Sequence, residues 1–327
     1  MLTQPITDAR AWRADTIDPP AGWSYRLPER CLAALDRTVQ ELRCTLREPT
    51  ALRLAETPCA DCADDLRPAL AALETGRGFV ILEGVPVERY APAELQALYW
   101  LVGQLLGQPM AQNVQGTLLY DVRDTGQDVR YGARFSVTNA ESTFHTDNSF
   151  GAEVLDYVGL LCLTPARAGG LSQVVSGYAV HNELLRRDPD ALAPLYEPFH
   201  VDRRGGVRPG EPPTARVPVF AWDGRELVCR YLRYWIEAGH AKAGEPLPPA
   251  RVRALDTLDA VLNEPALRVE FLLKPGDMFF INNRWIFHNR TAFEDHAEPQ
   301  RKRHYVRLWL QRHAGGRDTP VRTAAAR

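Results

Sequence analysis

Lysine is scarce in this 327-residue chain: three residues against 36 arginines. A GC-rich coding sequence accounts for that skew without any functional role. Basic residues do not outnumber acidic ones, 39 against 41, and the net charge is −2. No global field therefore favours nucleic acid or an anionic membrane. The arginines also lack the clustering of an RNA binder, because Asp and Glu are interspersed among them. Long apolar runs are missing too. The longest, such as YVGLLCL at 157–163, fall well short of the roughly 20 residues that span a bilayer. The start, MLTQPITDAR, has no basic region followed by an apolar one, so no secretory signal is evident. A soluble, cytoplasmic protein with small-molecule partners is expected, neither nucleic acid nor membrane among them; self-association is left open.

Cysteine is limited to six positions: Cys31, Cys44, Cys59, Cys62, Cys162 and Cys229. Cys59-Ala-Asp-Cys62 has the spacing of a zinc or redox knuckle, but a structural zinc wants four ligands. Cys31 and Cys44 lie on different faces of an expected helix, which turns about 100° per residue. No histidine precedes His145. Reduced thiols are expected instead.

What is present is order in the apolar pattern. Residues 30–48, 63–76 and 91–107 have helical spacing, and GFVILEGVPV (78–87) reads as a buried strand. From about residue 117 short β-rich runs follow: TLLYDV, RFSVT, DYVGLLCL, SQVVS, RELVCRYLR, RVEFLL, MFFINNRWIFH and HYVRLWLQR. Gly, Pro and Asp turns separate them, with helices near 177–187 and 250–263. The pattern predicts a mostly β protein with flanking helices, α+β in class. A helical N-terminal region (1–76) is expected to pack on a β domain (77–313), followed by a flexible tail (314–327). Residues 203–215 read as a flexible loop.

Within the β region, STFHTDNSF (142–150) places His145 and Asp147 two residues apart. On an extended segment both face one way. Alone, such a pair is more often a satisfied surface pair than a site. His288 ends the run PGDMFFINNRWIFH and adds a second imidazole. Two imidazoles and one carboxylate form a facial triad that suits non-haem iron(II) and leaves three coordination positions open. Farther on, Arg303 and Arg307 share parity in RKRHYVRLWLQR. Two guanidiniums aimed into a β core need anionic partners, which a dianionic co-substrate and an acidic substrate would supply through fork contacts.

Four ordered motifs, FHTD (144–147), LLCLTPARAGGLSQVVSGYAVHNELL (160–185), PGDMFFINNRWIFHNRTAFED (275–295) and RKRHYVRLWL (301–310), carry a resemblance. From about Gly78 to His313 the chain resembles the Fe(II)- and 2-oxoglutarate-dependent dioxygenases, in the branch of taurine dioxygenase, γ-butyrobetaine hydroxylase and clavaminate synthase. The resemblance implies a double-stranded β-helix, or jelly-roll, core. It implies His145, Asp147 and His288 as iron ligands, and Arg303 with Ser172 on the distal carboxylate of 2-oxoglutarate. Arg307 matches the arginine that meets the acidic group of the substrate in several relatives, although the two arginines could exchange roles. O2 would be the oxidant, with succinate and CO2 as products. Family halogenases carry Gly or Ala at the position of Asp147, so hydroxylation is favoured over halide transfer; desaturation and cyclisation remain open. The zinc knuckle of the carnitine-pathway branch is not reproduced. Gln112, Asn113, Arg134 and Asn148 are candidate substrate contacts for a small polar acid or amino-acid-like molecule. An alternative from another class is a non-catalytic β-barrel that binds a ligand, which three intact triad positions argue against.

Overall fold

The computed structural model describes residues 1–44, 48–127, 135–204 and 206–313. Apolar residues at helical spacing wind Glu29–Arg43 (α1), Arg67–Glu74 (α2) and Pro92–Leu106 (α3). Prolines in the first turn of α2 and α3 cost no intrahelical hydrogen bond there. The strands of this half are Ser24–Arg26 (β1), Phe79–Glu83 (β2), Gln108–Met110 (β3) and Leu119–Val122 (β4). Tyr157–Thr164 (β5), Ala168–Gly169 (β6) and Ser172–Ser176 (β7) follow. Then come Gly177–Arg187 (α4), capped by the Ser176 hydroxyl, and Pro189–Leu192 (α5). Two hairpins pair Phe199–Asp202 (β8) with Thr214–Val217 (β9), and Phe220–Trp222 (β10) with Leu227–Cys229 (β11). Helices Arg233–Ala243 (α6) and Pro249–Leu262 (α7) lead to Arg268–Phe271 (β12), Met278–Asn282 (β13), Ile286–Arg290 (β14), Phe293–Glu294 (β15) and His304–Gln311 (β16).

Two mixed-origin sheets carry the fold. The larger runs β1-β2-β13-β5-β16-β3, with β4 also on β16; the smaller runs β12-β7-β14. Only β1 and β2 pair in parallel within them. Side chains alternate across the large sheet, as the two-residue period requires. Phe79, Ile81, Val158, Phe279, Ile281, Tyr305 and Trp309 join Val175 and Ile286 of the small sheet in one apolar cluster. Val80, Leu82, Leu161, Phe280, Val306 and Leu308 face the other way and pack with Leu35, Leu73 and Leu98 of α1–α3.

Several expectations are corrected here. MFFINNRWIFH is two strands, not one: β13 lies in the large sheet and β14 in the small one, with a turn at Asn282–Trp285 between them. RFSVT holds a 3-10 turn at Phe135–Val137, and α6 runs over Arg233–Ala243, where no helix was expected. Asp147 opens a turn instead of continuing a strand. Cys31 and Cys62 form a disulfide, their Cα atoms 5.1 Å apart, so not all thiols are reduced. α1 packs against the 3-10 turn Pro58–Cys62, a tertiary juxtaposition that helix-face reasoning within α1 did not reach. Arg134 and the tail 314–327 lie outside the described residues. No helix of the described residues is long and apolar enough to cross a membrane.

Candidate active site

His288 and Arg290 share the inward face of β14, two residues apart. A bridge locks His288 to His145: each backbone N–H donates to the other's carbonyl, at 3.0 and 2.9 Å. The segment past His145 is then pinned twice. The Thr146 N–H donates to the Tyr231 carbonyl at 2.8 Å, and the Tyr231 N–H donates to the Thr146 hydroxyl at 3.0 Å. Asn283, in the turn after β13, accepts the Asp147 N–H at 2.8 Å and donates to the Asp147 carbonyl at 3.0 Å. Asn148 follows with φ 53°, a left-handed turn that Asn tolerates.

These ties converge three ligand atoms, all within 4.8 Å of one another. Asp147 Oδ1 lies 3.5 Å from His145 Nε2 and 3.9 Å from His288 Nε2. His145 Nδ1 faces the Thr143 carbonyl at 2.9 Å, which places its proton there and frees Nε2 as a ligand. Asp147 Oδ2 is fully engaged: Trp309 Nε1 donates at 2.8 Å and Arg307 Nη1 lies at 3.0 Å. Burial alone would raise the Asp147 pKa, but Arg307 and the two imidazoles hold it below the ordinary carboxylate range. Burial, with His145 beside it, pushes the His288 imidazole down to about 3. A carboxylate and neutral imidazoles form a donor set that could hold a divalent metal.

β16 supplies the opposite wall. Arg303, Tyr305, Arg307 and Trp309 share parity, and Arg307 Nε donates to Gln112 Oε1 at 2.8 Å. Gln112 is itself fixed by donating to the Leu118 and Arg307 carbonyls, each at 2.8 Å. Arg303 is 3% exposed and lies over the Tyr305 ring at 3.8 Å. Among the described residues no carboxylate comes within ion-pair distance of its guanidinium, and its buried Nε has no partner. Burial lowers its pKa. Such a cation calls for an anion that the described residues do not provide. Gly169 and Gly170, both at φ 70°, make the turn that sets Ser172 opposite Arg290 in the β7–β14 register.

One cavity joins these groups. His145, Asp147, Asn148, Ser172, His288, Arg303, Arg307 and Gln112 all line it. Asn113 does not; its side chain closes the 113–117 turn through Thr117. Several other lining residues escaped the sequence reading, among them Arg290, Trp309 and Arg204. Arg290 could have been found from its parity with His288. Trp309 shares parity with both arginines. Arg204 comes from a loop whose approach to the cavity leaves no local pattern.

The sequence profile of the taurine catabolism dioxygenase TauD, TfdA family matches residues 52–309. The chain belongs to this family. It is 32% identical to FR-33289 synthase of Streptomyces rubellomurinus over 95% of this chain and 91% of that protein. It is 31% identical to a uridine-5'-phosphate dioxygenase of a Streptomyces species over 75% of this chain and 89% of that one. The fold matches that of asparagine oxygenase in complex with Fe(II), 2S,3S-3-hydroxyasparagine and succinate, with a TM-score of 0.68 at 20% identity, covering 88% of this chain and 93% of that chain. As a member of the TauD, TfdA family the protein is an Fe(II)- and 2-oxoglutarate-dependent oxygenase.

Proposed function

We propose that this oxygenase hydroxylates an unactivated C–H of a small, polar, acid-bearing molecule, with His145, Asp147 and His288 holding iron(II). Iron(II) with 2-oxoglutarate and O2 supplies the oxidant, and succinate and CO2 are the coproducts. The chain's own residues do the positioning. With its outer oxygen held by Trp309 and Arg307, Asp147 offers one oxygen to the metal. Arg303 and Ser172 receive the distal carboxylate of 2-oxoglutarate. Arg307, beside Asp147, and Asn148 face the substrate. Val158, Leu160 and Phe279 on the cavity wall keep water from the reacting carbon.

The observation that carries this reading is the convergence of three free ligand atoms beside a buried guanidinium without a carboxylate. The two sheets support a double-stranded β-helix core over 77–313. Leu35 and Leu73 share a cluster with Val80 and Leu308, which supports residues 1–76 packing on that core.

Anaerobic protein loaded with Fe(II) and 2-oxoglutarate should show a weak visible charge-transfer band that disappears in His145→Ala. A wild-type protein with full iron occupancy and no band would refute the assignment.

A further inference from the structure

The backbone of Arg303 is firmly fixed, because Asp295 Oδ1 accepts its N–H at 2.7 Å. The guanidinium at the far end has weaker polar ties. Nη1 meets the Val122 carbonyl at 3.5 Å, and the buried Nε has no partner. Arg290 is near enough to repel it: burial and Arg303 together bring the Arg290 pKa down to about 9. What the Arg303 guanidinium does have is two aromatic faces. It lies 3.8 Å from the centre of the Tyr305 ring and 5.1 Å from that of Phe293. These rings are 1% and 4% exposed, and a desolvated ring face attracts a cation more strongly than a wet one.

The sheets set both rings. Tyr305 stands two residues after Arg303 and lies opposite Cys162 of β5. Phe293 lies opposite Gly169 in the β6–β15 pair. The next residue, Gly170, stands against both groups: a Cβ there would lie 3.4 Å from Phe293 Cβ and 3.6 Å from Arg303 Nε. Arg303 is among the described residues that line the cavity and neither ring is, so the rings reach a bound molecule only through Arg303. Resting on the assignment of Arg303 to 2-oxoglutarate, we propose that Tyr305 and Phe293 are positioning residues for the co-substrate. Their faces hold the guanidinium plane in place before the distal carboxylate arrives, so binding does not have to order a loose side chain. The carboxylate then takes its hydrogen bonds from a fork that is already oriented.

Calorimetric titration of anaerobic, Fe(II)-loaded protein with two keto acids tests this. One is 2-oxoglutarate; the other is pyruvate, which has the same 2-oxo acid end and no distal carboxylate. Tyr305→Leu removes the nearer face. It should weaken 2-oxoglutarate about tenfold and leave pyruvate within about twofold, while Tyr305→Phe keeps the face and the wild-type affinity. Phe293→Leu, farther from the cation, should weaken 2-oxoglutarate about threefold with the same selectivity, and it carries the test if Tyr305→Leu does not fold. Unchanged 2-oxoglutarate affinity in the leucine variants overturns the proposal. So does an equal loss for pyruvate, which marks a general disturbance of the site. A Tyr305→Phe protein as weak as Tyr305→Leu also overturns it, because the effect then belongs to the hydroxyl. Wild-type protein that binds 2-oxoglutarate without the charge-transfer band overturns the oxygenase reading instead, and the titrations still decide whether the rings set Arg303. Wild-type protein that takes up neither acid overturns both.

Discussion

Asp147 divides its two oxygens between two tasks, and the residues that enforce the division sit far away in sequence. Trp309 and Arg307 occupy Oδ2, so the side chain cannot swing to offer both oxygens to a metal. Trp309→Phe removes one of these donors and should weaken iron binding about tenfold, read by metal titration of the apoprotein; an unchanged affinity would show that the indole only fills space. Arg303→Ala should raise the 2-oxoglutarate concentration needed for half-maximal succinate release by at least about tenfold, with little change in the substrate requirement. The opposite pattern would exchange the roles of Arg303 and Arg307. Part of this scale was legible in the sequence: Arg303 and Arg307 share parity along β16, and His145 and Asp147 stand close together in the chain, although a turn at Asp147 and not an extended strand brings that pair together. Asn283 and Tyr231 were not legible. They act on backbone groups of the 145–147 segment, and nothing in their own neighbourhoods records which segment they will meet.

At the scale of elements, the turn between β13 and β14 decides where His288 points. It ends β13 in one sheet and starts β14 in the other, and the buried Trp285 anchors it. Gly78 makes room for that indole. It sits at φ 79°, and a Cβ there would come within 2.3 Å of the Trp285 ring. Gly78→Ala should therefore cost about 2–4 kcal/mol of stability, measured as a shift in the chemical denaturation midpoint. An effect below about 0.5 kcal/mol would mean that the turn relaxes freely. Helix and strand identity was readable wherever the apolar period was clean, as in α1, α3, β7 and β16. It failed at 278–288, because a buried strand and a buried turn flanked by apolar residues look alike in composition. It failed at α6 because aromatic residues favour strands locally, whereas packing against the β8–β9 hairpin rewards a helix.

For the molecule as a whole, buried histidine links stability to acidity. His181 in α4 is fully buried, meets the Tyr196 hydroxyl at 2.7 Å, and is pushed down to about 4 by burial. The unfolded chain takes up that proton near pH 6.5, and the folded chain refuses it until about pH 4. Stability is therefore constant with respect to this group above pH 6.5 and falls as the solution becomes more acidic. About 2 kcal/mol should be lost between pH 6.5 and pH 5. Denaturation curves across that range should show the slope, and His181→Gln should flatten it. A wild-type protein equally stable at both values would contradict this account.

The strand order has a kinetic consequence. β5 is flanked by β13 and β16, so both its edges stay open until residues 278–311 emerge, late in the synthesis of the chain. Loop-closure entropy must be met across more than a hundred residues before either pairing forms. Refolding should accordingly be slow for its stability, in the range of non-local β proteins. Full-length chains, rather than fragments that end before β13, are the species expected to escape aggregation through those open edges.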